Sequence, residues 1–227
     1  MGHREFKDQL YAQFARIGKA LASPQRLELV DLLAQGERSV EELAREVGLS
    51  TANASQHLHV LHGARLVESR KAGLYVYYRL ADPAIFALWQ ALRTVGERQL
   101  AEIDRLVGIY LHNRQALEPI SRDALLARLT AGDTIVLDVR PALEYRQGHI
   151  AGARSIPVDE LAARLGELDV QREVVAYCRG PYCVFSDEAV ALLRAHGLRA
   201  FRYAEGFPEW ADAGLPLATE ESASATR

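Results

Sequence analysis

Apolar positions in the first third of the chain recur at helical spacing. Leu10, Phe14, Ile17 and Leu21 make one stripe, and Leu27, Val30 and Leu33 make another. Ser23-Pro24 separates them, with Ser23 as a cap and Pro24 at a first helical position. Ser39 and Glu42 have the spacing of a capping box, which predicts a short helix running through Val47 and stopped by Gly48. Ser50 can cap a further helix whose inner face is Ala54, Leu58 and Leu61. Two short helices joined through residues 48–50 have helix-turn-helix spacing. Beyond Gly63, residues 66–68, 71–73 and 74–80 read as a β-hairpin, the wing of such a motif. Pro83 opens a single long helix to about Leu111, with Phe86, Leu88, Leu92, Val95, Leu100, Ile103, Leu106 and Ile109 on its apolar side. So much apolar surface predicts pairing with a second copy of the chain.

After residues 113–118, which read as a linker, strands and helices alternate. Ile120 enters a strand, 123–129 is a helix, 134–139 and 173–178 are buried strands, 186–196 is a helix and 199–203 a strand. That order predicts an α/β domain with a parallel sheet. The expected organisation is a mainly α, winged helix-turn-helix domain at 1–112, the linker, an α/β domain at 119–218, and a disordered tail at 219–227.

Bulk properties narrow the function. A chain of 227 residues suits two modest domains. With 49% hydrophobic and 25% charged residues it is too apolar for a disordered protein. No apolar run approaches the roughly 18 residues that cross a membrane. The first ten residues are charged and lack the apolar centre of a signal peptide, so the expected location is cytoplasmic. The net charge of −3 excludes a generally basic nucleic-acid binder. Any such surface is local, and residues 49–80 supply Arg65, Arg70, Lys71 and Arg79 against Glu68 alone.

The string from Leu49 to Val67, with Ser55, His57, Leu58 and Leu61 at its centre, resembles the recognition helix of the arsenic-repressor (ArsR/SmtB) family of winged-helix dimers. The resemblance spans roughly residues 8–111. It implies a homodimeric repressor on double-stranded DNA carrying an inverted-repeat operator. Thr51, Asn53, Ser55, Gln56 and His59 are then the outward candidates for base edges, and Arg70, Lys71 and Tyr75 on the wing are candidates for phosphate. Members of that family often sense metals through Cys or His clusters. Here both cysteines come after residue 177, and residues 84–114 offer only His112 with scattered carboxylates. No metal and no cofactor is expected.

The cysteines, Cys178 and Cys183, are too few for a disulfide framework and read as redox or nucleophilic chemistry. Three segments resemble the rhodanese family in order: Asp138-Val-Arg140 with Glu144 and residues 148–157, then Tyr177-Cys-Arg-Gly-Pro-Tyr-Cys183, then Gly206-Phe-Pro-Glu-Trp210. The resemblance makes the α/β domain rhodanese-like and Cys178 its nucleophile, with Arg179 and Cys183 as partners in the loop and Gly180, Tyr182 and Val184 as its cradle. Backbone N–H groups of a turn ahead of a helix suit an anionic sulfur. Rhodanese-like loops usually carry a basic residue five positions after the nucleophile to hold an anionic donor. Cys183 stands there, and Arg179 is the available substitute.

Asp138 and Arg140 read as a structural ion pair, His149 as a conformational residue, and Phe207 and Trp210 as packing under the loop. The leading expectation is a dimeric repressor whose DNA affinity responds to a sulfane-sulfur donor, such as polysulfide, thiosulfate or a low-molecular-weight persulfide. The alternative is a sulfurtransferase, of weak activity through Cys178, whose first domain serves dimerisation or targeting.

Overall fold

The computed structural model describes residues 2–111, 117 and 119–220. The chain forms two compact units, Met1–Thr94 and Val95–Arg227.

The first unit contains α1 (His3–Leu21), α2 (Pro24–Leu33), β1 (Arg38–Ser39), α3 (Val40–Glu46), α4 (Thr51–Gly63), β2 (Val67–Ala72), β3 (Tyr75–Leu80) and the start of α5 (Pro83–Gln99). Its signals act locally as the pattern predicts. The Ser39–Glu42 capping box is present at the start of α3, and Gly48, at φ +65°, takes the left-handed conformation that stops the helix. The Ser50 hydroxyl accepts from the Asn53 N–H at 3.3 Å. Ser23 is the N-cap of α2, but its hydroxyl turns to Gln25 Oε1 at 2.9 Å instead of capping, leaving Pro24 as the start signal. β2 and β3 pair antiparallel from Val67 opposite Leu80 to Ala72 opposite Tyr75, around Gly73, and β1 adds to the far side of β3. Leu29, Val30, Leu43, Ala54, Leu58 and Leu61 are fully buried together. Trp89 on α5 donates to Asp31 on α2 at 2.8 Å.

The long helix expected over residues 83–111 is two helices. α5 stops at Gln99 and α6 (Ala101–Tyr110) follows an extended Leu100 at φ −114° and ψ 96°. Ile103 of α6 folds back toward α5 until its Cδ1 lies 3.2 Å from where a Gly96 Cβ would be. A residue without a side chain lets two helices approach where any other would crowd the contact.

The second unit continues with β4 (Pro119–Ile120), α7 (Arg122–Ala131), β5 (Thr134–Asp138), α8 (Ala142–Gln147), β6 (His149–Ile150), β7 (Arg154–Ser155), α9 (Val158–Arg164), β8 (Glu173–Cys178), α10 (Val184–Ala195), β9 (Ala200–Gly206), α11 (Phe207–Asp212) and β10 (Leu217–Ala218). Five parallel strands lie in the order β4-β9-β8-β5-β7, and β6 pairs with β10 apart from them. The predicted parallel α/β architecture is therefore present. Side chains alternate across β8. Val174, Ala176 and Cys178 pack with Leu161 of α9 and Val190 of α10, while Val175 and Tyr177 pack with Leu125 of α7 and Trp210 of α11. The short elements between β5 and β8 have two to seven residues each, too few to show a period in the sequence. Leu117 is buried in the first of these two clusters. The rest of the expected linker, and the tail beyond Glu220, lie outside the described residues. Among the described residues no helix is long and apolar enough to cross a membrane.

Candidate functional site

β8 is the central strand of the five, and its last residue is Cys178, which is 1% exposed. The chain then turns through residues 179–182 into α10, whose N-cap is Cys183. The Cys183 N–H closes the turn on the Gly180 carbonyl at 3.2 Å. Cys178 and Cys183 are joined by a disulfide, with Cα atoms 6.2 Å apart, inside the usual range for such a bond. The ends of parallel strands, where helices begin, are where α/β sheets place reactive groups. A sulfur at a helix N-cap also meets the positive end of the helix dipole, which favours negative charge on it.

Two buried ion pairs hold the loop. Arg140 is fully buried and binds Asp138 through Nη2 at 2.6 Å and Nε at 3.0 Å, and its Nη2 also donates to the Gly148 carbonyl at 2.8 Å. Tyr177, next to Cys178, donates to Asp138 at 2.5 Å and accepts from the Ile150 N–H at 3.2 Å. Burial works against the Arg140 charge, but the Asp138 carboxylate beside it prevails and the guanidinium is held more firmly protonated than usual. Burial, reinforced by Asp138, raises the Tyr177 hydroxyl well above its ordinary value. The pair is structural, as its sequence suggested.

In the second pair, Arg179 donates through Nε and Nη2 to Glu144, at 2.9 and 2.6 Å, and Glu144 is fully buried. The Arg179 guanidinium also lies 5.7 Å from the Phe185 ring centre. Tyr182, at the outer side of the loop, donates to Glu97 at 2.6 Å within the same unit. Val184 begins α10 and is exposed.

The loop rests on β9 through one glycine. Cys178 pairs with Gly206 across a register shift, and a Cβ on Gly206 would overlap the Gly180 nitrogen. Glu209 reaches back to accept from the Gly206 N–H at 3.0 Å. Phe207 and Trp210 lie in the core behind Tyr177, and the His149 ring stacks on Tyr145 at 3.7 Å.

In the first unit, Thr51, Asn53, Ser55, Gln56 and His59 are all exposed along α4, opposite the buried Ala54, Leu58 and Leu61. Asn53, Ser55 and Gln56 lie in the first half of the helix, while His59 faces a groove shared with Ala12, Arg16 and Lys19 of α1. On the wing, Lys71 and Tyr75 are exposed, and Arg70 pairs with Glu37 while stacking 4.7 Å from the Tyr77 ring. Among the described residues no three His, Cys, Asp or Glu side chains gather as metal ligands. His112 lies outside the described residues.

Residues 23–69 match the bacterial regulatory protein, arsR family, and residues 121–213 match the rhodanese-like domain. Over 216 residues the chain is 43% identical to the HTH-type transcriptional regulator Rv0324 of Mycobacterium tuberculosis, covering 95% of both chains. The chain belongs to the ArsR family of transcriptional regulators and carries a rhodanese-like domain. It is also 36% identical to the biofilm growth-associated repressor of Xylella fastidiosa over 92 residues, which is 40% of this chain and 81% of that one. Among solved structures, the homodimeric winged helix-turn-helix DNA-binding domain of Mb0332 from Mycobacterium bovis is 41% identical. It covers 44% of this chain and 93% of that one, with a TM-score of 0.41. A rhodanese-related protein from Thermoplasma volcanium is 27% identical, covering 45% of this chain and 99% of that one, with a TM-score of 0.42.

Glu144, Gly206 and Glu209 stood in the rhodanese-like signatures without a role. Their work is to hold the loop, and the sequence cue was that all three lie in segments that otherwise supply core residues. Tyr182 was expected in the cradle, but nothing in the sequence pointed to its hydrogen bond with Glu97, 85 residues away.

Proposed function

We propose that this chain is a dimeric DNA-binding repressor whose affinity for an inverted-repeat operator is set by the sulfur state of Cys178 and Cys183. In this reading residues 1–112 bind DNA and dimerise, and residues 119–218 sense sulfane sulfur. The observation that carries it is the bond between Cys178 and Cys183, across one short loop, in a family of transcriptional regulators. In this reading the Cys178 thiolate attacks a sulfane sulfur, expelling the rest of the donor and leaving a persulfide within the cradle of Gly180, Tyr182 and Val184, and the Cys183 thiolate then attacks Cys178 Sγ, forming the disulfide and expelling hydrosulfide. Sensing is favoured over turnover because Arg179, the available holder of an anionic donor, is engaged by Glu144. Dimerisation is supported by the exposed Phe6, Tyr11 and Phe14 of α1 and Leu88 and Leu92 of α5, surface that a lone unit of this size has no need to show.

The test is DNA binding by the full-length protein to a duplex selected from a random library by its reduced form. Treatment with polysulfide changes affinity about 5- to 150-fold, a coupling of about 1–3 kcal/mol. Cys178→Ser abolishes the response, and Cys183→Ser leaves a persulfide on Cys178 detectable by mass. If the treated protein gains no sulfur and no Cys178–Cys183 bond, with DNA affinity unchanged, the proposal fails.

A further inference from the structure

We propose that Glu37 sets the DNA affinity of the wing: it occupies the Arg70 guanidinium in the free protein, and a phosphate of the DNA backbone must displace it. The proposal rests on the reading of Arg70 as a phosphate contact and names the residue that opposes that contact.

The register of the wing decides which side chains meet. Glu68 stands opposite Arg79 and Arg70 opposite Tyr77, and residues two apart on a strand share a face, so these four lie on one side of the hairpin. The other side of β3 carries Val76, Tyr78 and Leu80, which pack against the core of the first unit. The outer side is therefore the polar one, and it holds two arginines. Along the chain the only acid close to them is Glu68. The fold adds another from a distance, because β1 joins the far side of β3 and brings with it Glu37, the residue just before β1.

Glu37 holds Arg70 by its edge. Arg70 Nε donates to Glu37 Oε1 at 2.8 Å and to Oε2 at 2.9 Å, and Nη2 donates to Oε2 as well. The guanidinium lies 4.7 Å from the centre of the Tyr77 ring, which supports it from a second direction. Arg79 is bound by Glu68, through Nε at 3.1 Å and Nη2 at 2.7 Å. Together with Ser69 the two pairs line a surface recess of about 270 Å³. Both arginines on this side of the wing thus carry a carboxylate in the free protein.

The planar fork of an arginine fits a carboxylate and a phosphate through the same N–H groups. A phosphate that reaches Arg70 therefore competes with Glu37 for one edge of the guanidinium, and the released carboxylate is left beside the DNA backbone. The pair is open to exchange, since the Arg70 side chain is 57% exposed and water can solvate Glu37 as it leaves. A phosphate contact carries no sequence information. Glu37 accordingly lowers affinity for every duplex by the same factor and leaves base preference alone.

The test is equilibrium binding of four reduced, full-length proteins to the selected duplex and to a random one: the parent, Glu37→Gln, Arg70→Ala and the double variant. Glu37→Gln keeps the size of a partly exposed side chain and removes its charge. It is expected to tighten binding to both duplexes about fivefold, the upper end of what an exposed ion pair is worth. The gain disappears in the Arg70→Ala background, so Arg70→Ala costs more affinity when Glu37 is absent. A gain that persists without Arg70 would come from the Glu37 charge alone and would overturn the proposal. An unchanged affinity, a gain confined to the selected duplex, or weaker binding by Glu37→Gln, which would make Glu37 a support that positions Arg70, would each overturn it too. If the parent binds neither duplex, the DNA-binding reading itself falls, and the proposal with it.

Discussion

The two units place their candidate chemistry on opposite sides of the solvent boundary. Along α4 the side chains expected to read DNA are exposed, and the local framework is one helix on a simple apolar core. At the end of β8 the Cys178 sulfur is buried and surrounded by ion pairs that are themselves buried. The difference follows from the partner. On the proposed function, a macromolecule is met by groups already at the surface, whereas a sulfur that reacts with a small donor is withheld from water. The consequence is separability. Substitution on α4 changes binding with little effect on folding, and substitution around Cys178 puts the fold itself at risk.

The hardest test of that separation is Arg140→Met. It leaves Asp138 buried beside Tyr177 without its guanidinium, and the expected loss is about 3–5 kcal/mol for the second unit. In a Trp89→Phe background, Trp210 reports on that unit alone, so denaturant unfolding followed by its fluorescence measures the loss. An unchanged midpoint there would show that the polar brace is dispensable and would break the comparison.

Gly206→Ala comes next. Its methyl group would have to displace the backbone at Gly180, and overpacking of this kind costs about 1–3 kcal/mol. The same fluorescence reads the stability, and alkylation of the reduced protein reads the loop, where Cys178 becomes more accessible as the turn is pushed away from β9. Equal alkylation of variant and parent would mean that the loop does not rest on Gly206.

The smallest effects belong to the first unit. Gln56→Ala and Asn53→Ala are expected to relax base preference by about 1–3 kcal/mol at single positions. Lys71→Ala weakens binding to all duplexes and lowers the salt slope by about one. Thermal stability of the first unit stays constant in all three variants. Competition binding on selected and random DNA at several salt concentrations separates the two classes, and an equal loss on both kinds of DNA for Gln56→Ala would assign that residue to positioning.

The sequence was most legible where structure is local. The Ser39–Glu42 box, the Gly48 stop and the Gly73 turn involve residues within a few positions of one another, so spacing alone carries them. It was less legible over residues 83–111. There an unbroken apolar stripe continued through Leu100, and the break at that residue brings Ile103 back onto Gly96, a contact no period along the chain announces. The loop shows the same division. Its cysteines and the glycines of its signatures could be read in the chain, but the engagement of Arg179 could not.

By itself the sequence determined a winged helix-turn-helix followed by a parallel α/β domain, the outward face of α4, and a pair of cysteines on one turn. Hydrophobic period and capping are properties of neighbouring residues, and they survive without knowledge of the fold. Tertiary structure alone decided that Glu144 takes Arg179 and that Gly206 lies directly under the turn. Those facts join residues 26 to 35 positions apart, and which groups meet across such a separation is set by the packing of α8, β8 and β9, not by any periodicity along the chain.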